Sequence, residues 1–244
     1  MRLFNTITIS FIIGFIPVLL WLWYWLREDR THPEPRILIF LTFVFGGLAV
    51  PLAGALQWFI AILIAGYGDI DIRSIFHTSY VYAIVILILG ATCEEVLKYL
   101  AAYFAALRKK ANDEPIDVMI YLITAALGFS AVENSLYILS SVHEGYLTTG
   151  ILIGNTRFIG ATLLHVASSA LIGVFAAFSY YKNSKIKSHY LFTGFTFAIA
   201  LHTIFNSFII RQENFTLAGF TVVWLVIVAI ILLFEKVKTI YKRN

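Results

Sequence analysis

An all-α, polytopic membrane helical bundle of about seven transmembrane helices is the fold class this sequence predicts, and three observations predict it. Of the 244 residues 60% are hydrophobic and only 13% charged, with a mean hydropathy of +0.84, whereas a soluble domain has about a quarter of its residues charged. The apolar residues gather into runs long enough to cross a hydrocarbon core, which takes about 20 helical residues. The charged residues fall mainly in short clusters between those runs. No polar stretch is long enough to fold separately, so residues 1–244 read as one membrane domain.

The first run, 3–26, follows Arg2 and ends in Trp21, Trp23, Tyr24 and Trp25. It is too long for a secretory signal core of about 7–15 residues and no small-x-small cleavage site follows, so it reads as a retained helix with an interfacial aromatic anchor. The second, 37–65, contains Gly46, Gly47, Pro51 and Gly54, a pattern of kinking or tilt. The third and fourth are 79–107 and 117–140. The fifth, 151–181, has Arg157 near its start, which places the true beginning of the span later. The sixth and seventh are 190–210 and 216–234.

Seven crossings put the termini on opposite sides. One set of loops and the tail hold Arg27, Arg30, Arg36, Arg108 to Lys110, Lys182, Lys185, Lys187, Lys236, Lys238, Lys242 and Arg243, 13 basic residues; the other side has Arg2, Arg73, Arg157 and Arg211, which is 4. The positive-inside rule therefore predicts the N-terminus outside and the C-terminus in the cytoplasm, with Lys109 and Lys185 cytoplasmic and Asp71 external. The net charge of +4 and pI near 9.1 reflect this topology, and no nucleic-acid partner is expected. The single cysteine, Cys93, excludes an internal disulfide and reads as a small packing residue. The sequence has no glycine motif for a coenzyme, no P-loop, no Cys/His zinc knuckle and no visible internal repeat.

Few ionisable residues lie within the spans: Glu94, Glu95, Lys98, Glu133, His165 and His202. At mid-bilayer a Lys or Asp costs roughly 2.5–3.5 kcal/mol by insertion scales, so each should face the bundle interior and find a partner there. The glutamates and histidines each lie about 12–16 residues into their runs, close to the midplane at 1.5 Å per residue. Glu94 with Lys98, Phe129 with Glu133, His165 with Ser169 and His202 with Asn206 are each four apart, which stacks both members on one helix face. A single such pair serves equally well as interhelical glue, worth about 0.6 kcal/mol. Four pairs at one depth, with three carboxylates among them, point to a buried chemical site.

The segments EEVLK (Glu94 to Lys98), FSAVEN (Phe129 to Asn134), HVASS (His165 to Ser169) and HTIFN (His202 to Asn206) resemble the PrsW family of intramembrane proteases, related to the CAAX prenyl proteases and their bacterial homologues. The resemblance extends to REDRTHPEP (Arg27 to Pro35), similar to the acidic, proline-containing first loop of PrsW-like proteins. CAAX relatives usually have EExxxR and a His at the end of the second motif; here those positions are Lys98 and Glu133, which favours the PrsW branch. The resemblance implies a bacterial or archaeal cell membrane and an endopeptidase acting on a single-span membrane protein or peptide, with an anti-sigma factor as one candidate.

Peptide hydrolysis needs an activated water, a polarised carbonyl and a proton for the leaving amine. Resemblance and chemistry together make Glu94 the general base, Glu95 the residue that orients a histidine, His165, and His202 with Asn206 the oxyanion donors. Glu133 is then a second acid or a ligand, with Lys98 and Ser169 in support. The same residues suit zinc, with Glu133, His165 and His202 as candidate ligands. No HExxH helix decides between the routes, and the sequence slightly favours the metal-free one. Two other classes share the polar face: a proton-coupled transporter, which would more often show inverted repeats, and a non-catalytic scaffold, which needs neither adjacent glutamates nor both histidines.

Overall fold

The computed structural model describes residues 2–28, 32–65, 80–143, 147–211 and 214–240. Helix α1 is Arg2–Glu28, α2 Arg36–Ala65, α3 Tyr80–Ala102, α4 Pro115–His143, α5 Leu147–Ile159, α6 Ala161–Phe178, α7 Ser184–Arg211 and α8 Asn214–Lys238. Among the described residues seven stretches are long and apolar enough to cross a membrane, and α5 with α6 form one of them, Gly154–Phe178. The chain is an all-α membrane bundle. Asp71 and Arg73, like Arg30, Lys242 and Arg243, lie outside the described residues.

The element at the centre is α4, which packs against α1, α2 and α6 and is buried over nearly its whole span. A lipid-exposed helix shows a polar face only at a cost, so a helix enclosed on every side is the place for Glu133, Ser130 and Asn134. Its approach to α2 requires glycine. A Cβ on Gly128 would overlap the Phe43 carbonyl, and one on Gly46 the Ala125 carbonyl. Two small residues facing each other let the backbones touch, the common way for membrane helices to gain packing where lipid offers no hydrophobic drive. Pro51 lies inside a continuous α2.

The outer helices α1, α2, α3, α7 and α8 turn apolar side chains to the surrounding lipid, among them Leu20, Leu52, Val81, Phe192 and Leu232. At one end of the bundle, the Tyr180 hydroxyl donates to the Asn112 carbonyl at 2.7 Å and ties the α3–α4 connection to the α6–α7 connection. Burial, with the Asp117 carboxylate nearby, pushes the Tyr180 phenol up to about 12, so it stays a donor at neutral pH.

The fifth run differs from expectation. Rather than one helix entered after Arg157, it is two helices meeting at Gly160, and Arg157 lies inside the span. A Cβ at Gly160 would strike the Phe220 ring of α8, so the junction is also a close-packing point.

Candidate active site

The four polar helix faces meet. On α3, Glu94, Glu95 and Lys98 are buried, the last two completely; His165 of α6 and His202 of α7 are 2% and 1% exposed. Phe129 of α4 packs its ring 5.3 Å from the His165 ring, and the two imidazoles lie 5.4 Å apart, centroid to centroid.

Two of the three carboxylates have a cationic partner. Glu95 Oε1 accepts from Lys98 Nζ at 2.6 Å and from His202 Nδ1 at 2.7 Å, while its Oε2 accepts from Ser169 Oγ at 3.3 Å. Glu133 accepts from the Arg157 guanidinium and from His165 Nε2 at 3.0 Å. Glu94 is held at Oε1 by Gln57 Nε2, 2.8 Å away, and its buried Oε2 has no hydrogen-bond partner among the described residues. With neutral imidazoles, three carboxylates against Lys98 and Arg157 leave one negative charge, and the geometry locates it on Glu94.

Carboxylates only accept, so they fix the tautomers. His202 carries its proton on Nδ1, toward Glu95, and His165 on Nε2, toward Glu133. The remaining lone pairs, on His202 Nε2 and His165 Nδ1, lie 3.5 and 3.9 Å from Glu94 Oε2. Glu94, His165 and His202 thus offer three ligand atoms within 4.8 Å of one another. A zinc ion bound by these three groups would draw them together from these separations. Two imidazoles and a carboxylate, each imidazole backed by a second carboxylate, match the donor set of an open catalytic zinc site.

Two pairings differ from the sequence reading. Glu95 holds His202, and His165 is held by Glu133 on one side, with Lys98 Nζ 3.1 Å away on the other. The potential metal cluster contains Glu94 in place of Glu133, because Glu133 is drawn toward Arg157. Asn206 lines the cavity one turn beyond His202, and Ser169 reaches Glu95.

Sequence reasoning missed Gln57 and Arg157. The signal for Gln57 was available, since it is the one amide in the 37–65 run. Arg157 was assigned to a loop. The structure instead anchors its Nε on Asn134 Oδ1 at 2.7 Å and sets its guanidinium 3.9 Å from the centroid of the Tyr137 ring. Asn134 also joins Ser130 and Thr162 in hydrogen bonds of 2.9–3.2 Å, a polar layer that fastens α4 to α6. Above this layer a cavity of about 810 Å³ is lined by Glu94, Glu133, His165 and His202 together with Gln57, Trp58, Tyr137, Arg157 and Phe220.

Comparison with known proteins identifies the family. A family model described as "PrsW family intramembrane metalloprotease" matches residues 34–233, which include every side chain of the site. Curated relatives named "Protease PrsW" come from Geobacillus kaustophilus, 27% identical over 82% of this chain and 80% of the relative, and Clostridioides difficile, 28% identical over 83% and 79%. A third, from Oceanobacillus iheyensis, is 26% identical over 84% of each chain. No solved structure matches. The chain belongs to the PrsW family of intramembrane proteases.

Proposed function

We propose that the chain cleaves a peptide bond of a single-span membrane protein or peptide in this cavity, with zinc held by Glu94, His165 and His202. The observation that carries the reading is the bare, buried Glu94 Oε2 set against two imidazole lone pairs. An unpaired carboxylate oxygen is costly inside a membrane, and a cation at that point relieves it. Zinc bound there supplies a Lewis acid for the scissile carbonyl and lowers the pKa of a water. The chain's own residues do the rest. Glu95 and Glu133 hold the imidazoles in one tautomer, and Gln57 fixes the Glu94 plane. In this reading Glu133 stays an ionised partner of Arg157 and His165, and the Asn206 amide, which lines the cavity, donates to the carbonyl oxygen. An anti-sigma factor is one candidate substrate.

One observation favours a metal-free route. Lys98 Nζ, 3.1 Å from His165 Nδ1, already supplies a positive charge at the site, and Glu94 Oε2 would then act as base on a water. Purified protein acting on single-span peptides decides between them. Exhaustive chelation should abolish cleavage and added zinc should restore it; undiminished cleavage after chelation would assign the chemistry to Glu94 alone.

Positive-inside counting supports an outside N-terminus and a cytoplasmic C-terminus. The cavity extends from Glu94 to Ile60, Ile86 and Ile210, near the ends of α2, α3 and α7 that this topology places outside. Substrate is therefore taken from the outer half of the membrane.

A further inference from the structure

Lys98 is fully buried, and it faces a site proposed to bind a cation. An ammonium has three N–H donors. Lys98 faces three electron-rich groups: Glu95 Oε1 at 2.6 Å, His165 Nδ1 at 3.1 Å, and the Phe129 ring, whose centroid is 5.2 Å away. The middle one is the lone pair a metal ligated by His165 would take. Metal and ammonium cannot share it, and two positive charges at this separation in a low-dielectric interior repel.

We infer that Lys98 is a built-in stand-in for the metal. With the site empty, its ammonium caps His165 and neutralises Glu95, so the helices stay assembled in the membrane without the ion. On metal entry Lys98 yields His165 Nδ1 and keeps Glu95, and this exchange weakens metal affinity. Lys98 is a positioning residue in this scheme. It touches one ligand directly, His165, and a second, His202, only through Glu95. The inference rests on the zinc reading of the site.

The test is cobalt and zinc binding to detergent-purified full-length protein, read by cobalt absorption, zinc competition and the metal-induced shift in unfolding temperature. Wild type, Lys98→Gln and Lys98→Met are compared, with Glu94→Gln as the control that removes a ligand. Removing Lys98 takes away both the competitor for His165 Nδ1 and a repelling positive charge, so both Lys98 variants should bind metal about tenfold more tightly or better. Their folded state should become dependent on metal, while chelated wild type keeps its unfolding temperature. A Lys98 variant that folds only with zinc supports the inference in its strongest form. Equal or weaker binding in folded Lys98 variants overturns it and leaves the zinc reading intact. Lys98 variants that stay unfolded with zinc also overturn it, making Lys98 an ordinary structural partner of Glu95. Absence of metal binding in wild type and both variants removes the zinc reading together with the inference.

Discussion

Glu133 sits between Arg157 and His165, so a change at Arg157 acts on the site without touching Glu94. Breaking a buried ion pair by removing one partner costs about 3–5 kcal/mol. This pair is 17% and 19% exposed, so the stability cost should fall below that range. Arg157→Gln frees Glu133 to turn away from His165, and cleavage should drop about 10- to 100-fold, as for other residues that orient a ligand. Rates on a membrane peptide, beside an unfolding curve, check both halves; an unchanged rate would detach Arg157 from the site. The residues that were legible in the sequence are the ones lipid penalises. Glu94, Glu95, Lys98, Glu133, His165 and His202 stood out because a charge in an apolar run needs a reason. Gln57 carries no charge and so escapes a search for charges, although it is the one amide of its run, and Arg157 sits near the start of its run, where an arginine is expected to reach the interface. Which carboxylate pairs with which imidazole was not legible at all, since it depends on how α3, α4, α6 and α7 are rotated against one another.

At the scale of the element, the bundle depends on the touching backbones of α2 and α4. Gly128→Val drives two methyl groups into the Phe43 carbonyl, and overpacking of this kind costs about 1–3 kcal/mol. Thermal unfolding in detergent should show the loss, whereas Gly54→Val, where a Cβ meets nothing within 4 Å, should change little. Equal stability of the two variants would remove the close-packing role of Gly128. Helix positions were legible because a span must be apolar for about 20 residues whatever packs beside it. The junction at Gly160 was not, because apolar residues lie on both sides and its close contact is with the Phe220 ring of a helix distant in sequence.

For the whole molecule, moving Arg157 into a span leaves 13 basic residues on one side against Arg2, Arg73 and Arg211 on the other, with Lys98 buried and Arg157 half-buried in the site. The bias strengthens. Cysteines placed at Lys109 and Lys185 should react with a membrane-impermeant reagent only after the cytoplasmic side is opened, and one at Asp71 should react in intact cells. The reverse pattern would invert the bundle and put the cavity mouth on the cytoplasmic side.

The whole arrangement turns on Glu94, the carboxylate without a cation. The most direct measurement is cleavage of a single-span membrane substrate, reconstituted in vesicles, by wild type and by Glu94→Gln. The amide keeps the shape and costs less in lipid than a carboxylate, so the fold should persist. Cleavage should fall by about 10²–10⁴, since the proposed function makes Glu94 either the metal ligand or the base. A well-folded Glu94→Gln protein that cleaves at the wild-type rate would contradict the assignment of this site.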